Sequence, residues 1–123
     1  MEVVKPNNVY DSSAPNSRAV VQDDTVYVSG VVGIDPETGE YGDTMAEQTR
    51  NAFENISATL EEAESSLDQV LRFLVFITDG EKKPEMDEVF EEYLDEPYPT
   101  RAAVISDLGG DEAMVEIVVT AYR

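Results

Sequence analysis

The chain has 123 residues, enough for one domain with a single core, and its 27 acidic against 8 basic residues give a formal net charge of -19. With neither cysteine nor histidine present, disulfides, thiolate nucleophiles, Ser-His-Asp and Cys-His machinery and most zinc sites are excluded. Asp and Glu are spread along the whole length, with Lys5, Lys82 and Lys83 the only lysines, so nucleic acid and anionic membranes are poor partners.

In chain order, "MEVVKP" predicts a short strand, followed by a loop through "NNVYDSSAPNS", where Pro6 and Pro15 accompany several Ser and Asn. "RAVVQ" and "TVYVSG", separated by Asp23 and Asp24, predict a hairpin ending at Gly30. A turn follows in "GIDPETGEYG", with Pro36 and Gly39 supplying the fixed and the permissive backbone positions. Phe53, Ile56, Leu60 and Ala63 recur at helical spacing and predict a helix from Met45 to about Glu64, with Thr44 as N-cap and Glu47 as its capping-box partner.

The apolar run "QVLRFLVFIT" predicts a central strand covered on both faces. A second helix is expected from Pro84 to Leu94, with Met86, Val89, Phe90 and Tyr93 on one side and a solvated acidic face elsewhere. "TRAAVIS" and "AMVEIVVTAY" read as neighbouring antiparallel strands joined by Asp107 to Glu112, with Gly109-Gly110 as the turn. The order is roughly β-β-β-α-β-α-β-β, a single α+β domain over residues 1–123 with one sheet and two helices on one face. Leu71, Phe73, Val75 and Ile77 fall on one parity of the central strand and Leu74 and Phe76 on the other, which leaves an apolar face that association into an oligomer would cover.

A dispersed acidic excess with scarce lysine suits a cytoplasm of molar salt, where the Debye length falls to roughly 3 Å; the alternative is an ordinary acidic mesophile protein. The lack of an N-terminal apolar stretch fits a cytoplasmic protein. No phosphate-binding glycine loop or calcium-loop spacing is present, and the scattered carboxylates read as surface charges, so no dedicated metal site is expected. Two ionisable residues stand inside apolar strands, Arg101 in "TRAAVIS" and Glu116 in "MVEIVV". On neighbouring strands they would face one cleft, as a structural ion pair or as a site in which the arginine fork holds a carboxylate and the glutamate holds water or moves a proton.

The strings "VYVSG" with "DPETGE", "EQTRNAFENISATLEEAESSLDQVLRFLVFITD", "YPTRAAV" and "VEIVVTA", in this order and over almost the whole chain, resemble the RidA-like (YjgF/L-PSP) reactive intermediate imine deaminase family. That resemblance implies a chorismate-mutase-like two-layer sandwich with one mixed sheet, a homotrimer with sites between subunits, and cofactor-free hydrolysis of 2-enamines and 2-imines such as 2-aminoacrylate to 2-keto acids and ammonia. It assigns Arg101 to the substrate carboxylate and Glu116 to the attacking water or the returned proton, with backbone groups at Gly30 and Ala103 completing the pocket. Where the family often has Pro-Tyr-x-Gln this chain has "PNSR", so Asn16 and Arg18 replace the tyrosine and the glutamine, and Asp87 replaces a frequent asparagine. A member of the same fold that binds a small 2-keto acid without chemistry is the second reading; a ribonuclease is the third, weakened by the absent histidine and by the charge.

Overall fold

The computed structural model describes residues 1–7, 9–10 and 12–123; Asn8 and Asp11, both in the predicted N-terminal loop, lie outside the described residues. Six strands, β1 (Glu2–Val4), β2 (Ala19–Gln22), β3 (Thr25–Val32), β4 (Val70–Ile77), β5 (Thr100–Ile105) and β6 (Val115–Tyr122), form one mixed sheet in the order β1-β2-β3-β6-β4-β5. Helices α1 (Met45–Glu62) and α2 (Lys83–Tyr93) supply the second layer. The α+β sandwich read from the sequence is the fold observed.

Local chemistry explains most of the element ends. Asp23 and Asp24 both adopt positive φ, 52° and 63°, and so make the tight β2–β3 turn that short polar side chains tolerate. Thr44 caps α1 by accepting from the Glu47 N–H at 3.1 Å, while the Glu47 carboxylate reaches back to the Asp43 N–H at 2.8 Å, one residue beyond the usual capping-box partner. Pro84 stands in the first turn of α2, where its missing N–H costs nothing.

Three expectations are corrected. β5 and β6 are not a hairpin: β4 lies between them, parallel to β5 and antiparallel to β6, because the chain runs from β4 through α2 to β5 as a strand-helix-strand crossover. The β3 strand does not end at Gly30 but continues to Val32 through a bulge between Val28 and Val31. β4 is an interior strand beside the edge strand β5, and it is covered by helices on one face only. Leu71 leaves the predicted buried row because the β4–β6 register shifts between Val70 and Arg72, and its side chain is exposed.

Phe73, Val75 and Ile77 of β4 bury against α1 and α2. Leu74 and Phe76, on the other face, are only half-buried, and Tyr27 and Val104 elsewhere in the sheet are exposed. Four rings tie the layers together. Phe53 of α1 stacks on Tyr93 at 4.7 Å and meets Phe90 edge-on at 4.8 Å, and Phe73 of β4 meets Phe90 at 5.3 Å.

Tyr93 donates to Glu54 at 2.7 Å, and burial together with that carboxylate pushes its phenol up to about 12. The raised value means that the fold favours the neutral phenol. Its contribution to stability is complete below the ordinary tyrosine range near 10 and is lost as pH climbs through about 12. Of the six tyrosines, one is therefore expected to ionise last in an ultraviolet titration, and Tyr93→Phe should remove that late phase.

Candidate active site

Arg101 sits on the edge strand β5, opposite Phe73 in the β4–β5 register, and so points to the helix side of the sheet. Its side chain is only 26% exposed, although the residue as a whole is open because the outer edge of β5 is unpaired. Asp87 and Phe90 lie three residues apart on one side of α2, and both reach it. Arg101 Nη1 donates to Asp87 Oδ1 at 2.6 Å, and the guanidinium carbon stands 5.0 Å from the Phe90 ring centre. Lys83, one turn earlier, donates to Asp87 Oδ2 at 2.9 Å. Burial pushes the Asp87 carboxyl upward, but the hydrogen bonds from Lys83 and Arg101 outweigh it and hold the group below the ordinary carboxylate range.

This constellation corrects the ion pair read from the sequence. The carboxylate on Arg101 is Asp87, not Glu116. Among the described residues Arg101 has no other hydrogen-bonding partner, so the Nε–Nη2 edge of its fork is free for a second carboxylate. A cavity of about 320 Å³ opens beside it, lined by Phe73, Phe90, Leu94, Tyr98 and Pro99 together with Asp87, Glu91 and Arg101.

Glu116 belongs to a different place. It pairs with Phe76 of β4 and with Val32 of β3, and so faces the side of the sheet that the helices leave open. The β3 bulge brings Gly30 against it: a Cβ at position 30 would stand 2.5 Å from Glu116 Oε2 and 2.9 Å from its carboxyl carbon. Only glycine lets the carboxylate rest there. A second cavity of about 320 Å³ contains Glu116, Gly30, Asn16 and Arg18.

Arg18 acts as a brace. It donates to the Tyr10 carbonyl at 2.9 Å and to the Gly30 carbonyl at 3.4 Å, which fastens the N-terminal loop to the bulge. Asn16 lines the cavity, and its aromatic lining comes from Tyr10 and Tyr41. Burial raises the Tyr41 phenol, with Tyr10, Glu112 and Glu116 adding to the shift. Asn55 of α1, 3% exposed, donates to the Ile34 carbonyl at 2.8 Å and lines the same cavity; its Oδ1 is buried and has no hydrogen-bond partner among the described residues. Sequence reasoning missed Tyr10, Tyr41 and Asn55. The first two sit in loops without periodicity, and Asn55 lies on the buried side of a helix whose polar residues read as surface.

The candidates therefore form two groups within one chain. Arg101 and Asp87 stand on the helix side, with Ala103 two residues along the same edge strand and exposed; Glu116, Gly30, Asn16 and Arg18 stand on the open side. The expectation that Arg101 and Glu116 share a cleft on neighbouring strands fails because β4 separates their strands and they sit at positions of opposite parity along it, Phe73 and Phe76.

The family model for endoribonuclease L-PSP matches residues 7–123. The chain belongs to the RidA/RutC family, also called YjgF/L-PSP. Among its relatives is the 3-aminoacrylate deaminase RutC of Acinetobacter baylyi, 32% identical over 123 residues, covering 98% of this chain and 97% of that protein. RidA from the Antarctic bacterium Psychrobacter sp. PAMC 21119 superposes with a TM-score of 0.95 at 36% identity, with all of both chains covered. E. coli TdcF, crystallised with bound serine, superposes with a TM-score of 0.94 at 27% identity, covering 100% of this chain and 99% of that one. The RidA/RutC family thus includes deaminases, and its fold is the one seen here.

Proposed function

We propose that this chain is a cofactor-free hydrolase of 2-imines and 2-enamines that releases 2-keto acids and ammonia, working as a homotrimer with its sites between subunits. The observation that carries the reading is the half-engaged fork of Arg101, held in place by Asp87 and Phe90 with its Nε–Nη2 edge open. The RutC relative named as a deaminase and the serine bound to TdcF agree with a carboxylate-bearing substrate of amino-acid origin. A trimer joins the helix-side group of one subunit to the open-side group of its neighbour and covers the half-buried Leu74–Phe76 face.

Arg101 fixes the substrate carboxylate through two parallel hydrogen bonds. Glu116 accepts a proton from water as its oxygen bonds to the imine carbon, and the C=N electron pair moves to nitrogen. The same glutamate returns that proton to nitrogen to give the carbinolamine, then takes the hydroxyl proton and passes it to the nitrogen; the C–N bond breaks, the O–H electron pair forms the keto C=O, and ammonia leaves. An enamine first becomes the imine by gaining a proton at its terminal carbon and losing one from nitrogen. Neither metal nor organic cofactor enters these steps.

The test pairs mass in solution with turnover of imines generated in place by an amino-acid oxidase. A mass near three chains with accelerated keto-acid release is expected. Trimers that bind 2-keto acids without accelerating hydrolysis would assign the chain to the non-catalytic carboxylate binders, and a monodisperse monomer would remove the intersubunit site.

A further inference from the structure

Fixing a carboxylate at Arg101 leaves open what the rest of the substrate touches. The cavity beside Arg101 is walled by Phe73, Phe90, Leu94, Tyr98 and Pro99, and its floor is core: Phe73 is 0%, Phe90 6% and Leu94 9% exposed. Its volume, about 320 Å³, lies at the small end of the usual range for ligand pockets, about 300–1,000 Å³. Among the described residues Arg101 is the sole cation lining it, and the other charged groups there, Asp87 and Glu91, are carboxylates.

An apolar recess with one cation is complementary to a molecule with one carboxylate and an apolar tail. The two carboxylates repel a tail that carries a second negative charge. A methyl or methylene side chain anchored at Arg101 would leave most of the recess filled with water.

We propose that this recess takes the substrate side chain, and that the protein prefers 2-imino and 2-keto acids with branched aliphatic or aromatic tails to small or dicarboxylic ones. For turnover the inference rests on the deaminase reading; for binding of the keto acid it does not. Discrimination by a hydrophobic pocket is roughly 10–200-fold per methylene. An isobutyl tail in place of methyl is accordingly expected to tighten binding by at least about tenfold.

The experiment titrates the intact protein calorimetrically, at one salt concentration, with pyruvate, 4-methyl-2-oxopentanoate, phenylpyruvate and 2-oxoglutarate, and repeats the series with Tyr98→Ala. Tyr98 is 54% exposed, so its truncation removes a wall without emptying the core, and the preference for the branched acid over pyruvate is expected to collapse to within about threefold, as the pocket loses its enclosure. A second variant, Leu94→Phe, fills the recess and should disfavour phenylpyruvate most. Equal affinities for pyruvate and the branched acid, no binding of any of them, tightest binding of 2-oxoglutarate, or a preference untouched by both variants would each overturn the proposal. The preference without any imine hydrolysis would uphold the recess and remove the deaminase reading; hydrolysis without the preference would do the reverse.

Discussion

Replacing Arg101 with alanine is expected to weaken 2-keto acid binding by about 2–5 kcal/mol, the usual cost of truncating one partner of a buried charged hydrogen bond. The fold should survive. Asp87, the group deprived of its partner, keeps Lys83 at 2.9 Å and is itself about one-third exposed, so no isolated carboxylate is left in the core. Arg101→Lys separates charge from shape: the ammonium preserves attraction to Asp87 but has neither a planar face for Phe90 nor a second parallel donor. Its binding should be closer to the alanine variant than to the parent. Calorimetric titration beside melting temperatures decides the matter, and tight binding by the alanine variant would dismiss the arginine as the anchor.

The second large effect is expected at the Gly30–Glu116 contact. Glu116→Gln keeps the size of the side chain but removes the base, and turnover should fall by about 10²–10⁴ while keto-acid binding changes little. Gly30→Ala leaves the carboxylate in the chain yet denies it its place, since the new methyl would come within 2.5 Å of Oε2. A comparable fall in kcat is expected, and the double variant should be no worse than the poorer single one, because both remove one function. Normal turnover in Gly30→Ala would show that the present position of the carboxylate is not the working one.

Much of the fold was legible because local chemistry and long-range packing agree in it. Asp23-Asp24 has the residues a tight turn requires, Thr44 and Glu47 mark a helix start, and Pro84 opens α2. The sheet order was not legible in the same way. β5 and β6 are consecutive and separated by a glycine pair, which favours a hairpin locally, whereas the decisive fact is that α2 lies between β4 and β5 and makes their parallel pairing possible.

The site was half legible. Arg101 and Glu116 stood out as charges inside apolar strands, but their faces depend on register, and a displacement of one residue reverses the side on which a strand presents a group. Asp87 is singled out by the family resemblance alone; by its own pattern it reads as one more acid on an acidic helix, and only its three-residue spacing from Phe90 beneath Arg101 shows its part. Tyr41 had no signal at all: its place beside the Glu116 cavity follows from the Ile34–Tyr41 bridge, which joins residues on either side of a turn.

The sheet presents Arg101 on one side and Glu116 on the other, and under the proposed assembly this makes a working site the joint property of two chains. A subunit lacking the arginine and a subunit lacking the glutamate are each defective when assembled only with their own kind. Placed next to each other in one ring, they restore an intact pair at the interface where the sound half of each meets the other. Damage to such a protein is then recessive in an unusual sense: two different faults can cancel, whereas the same fault repeated cannot.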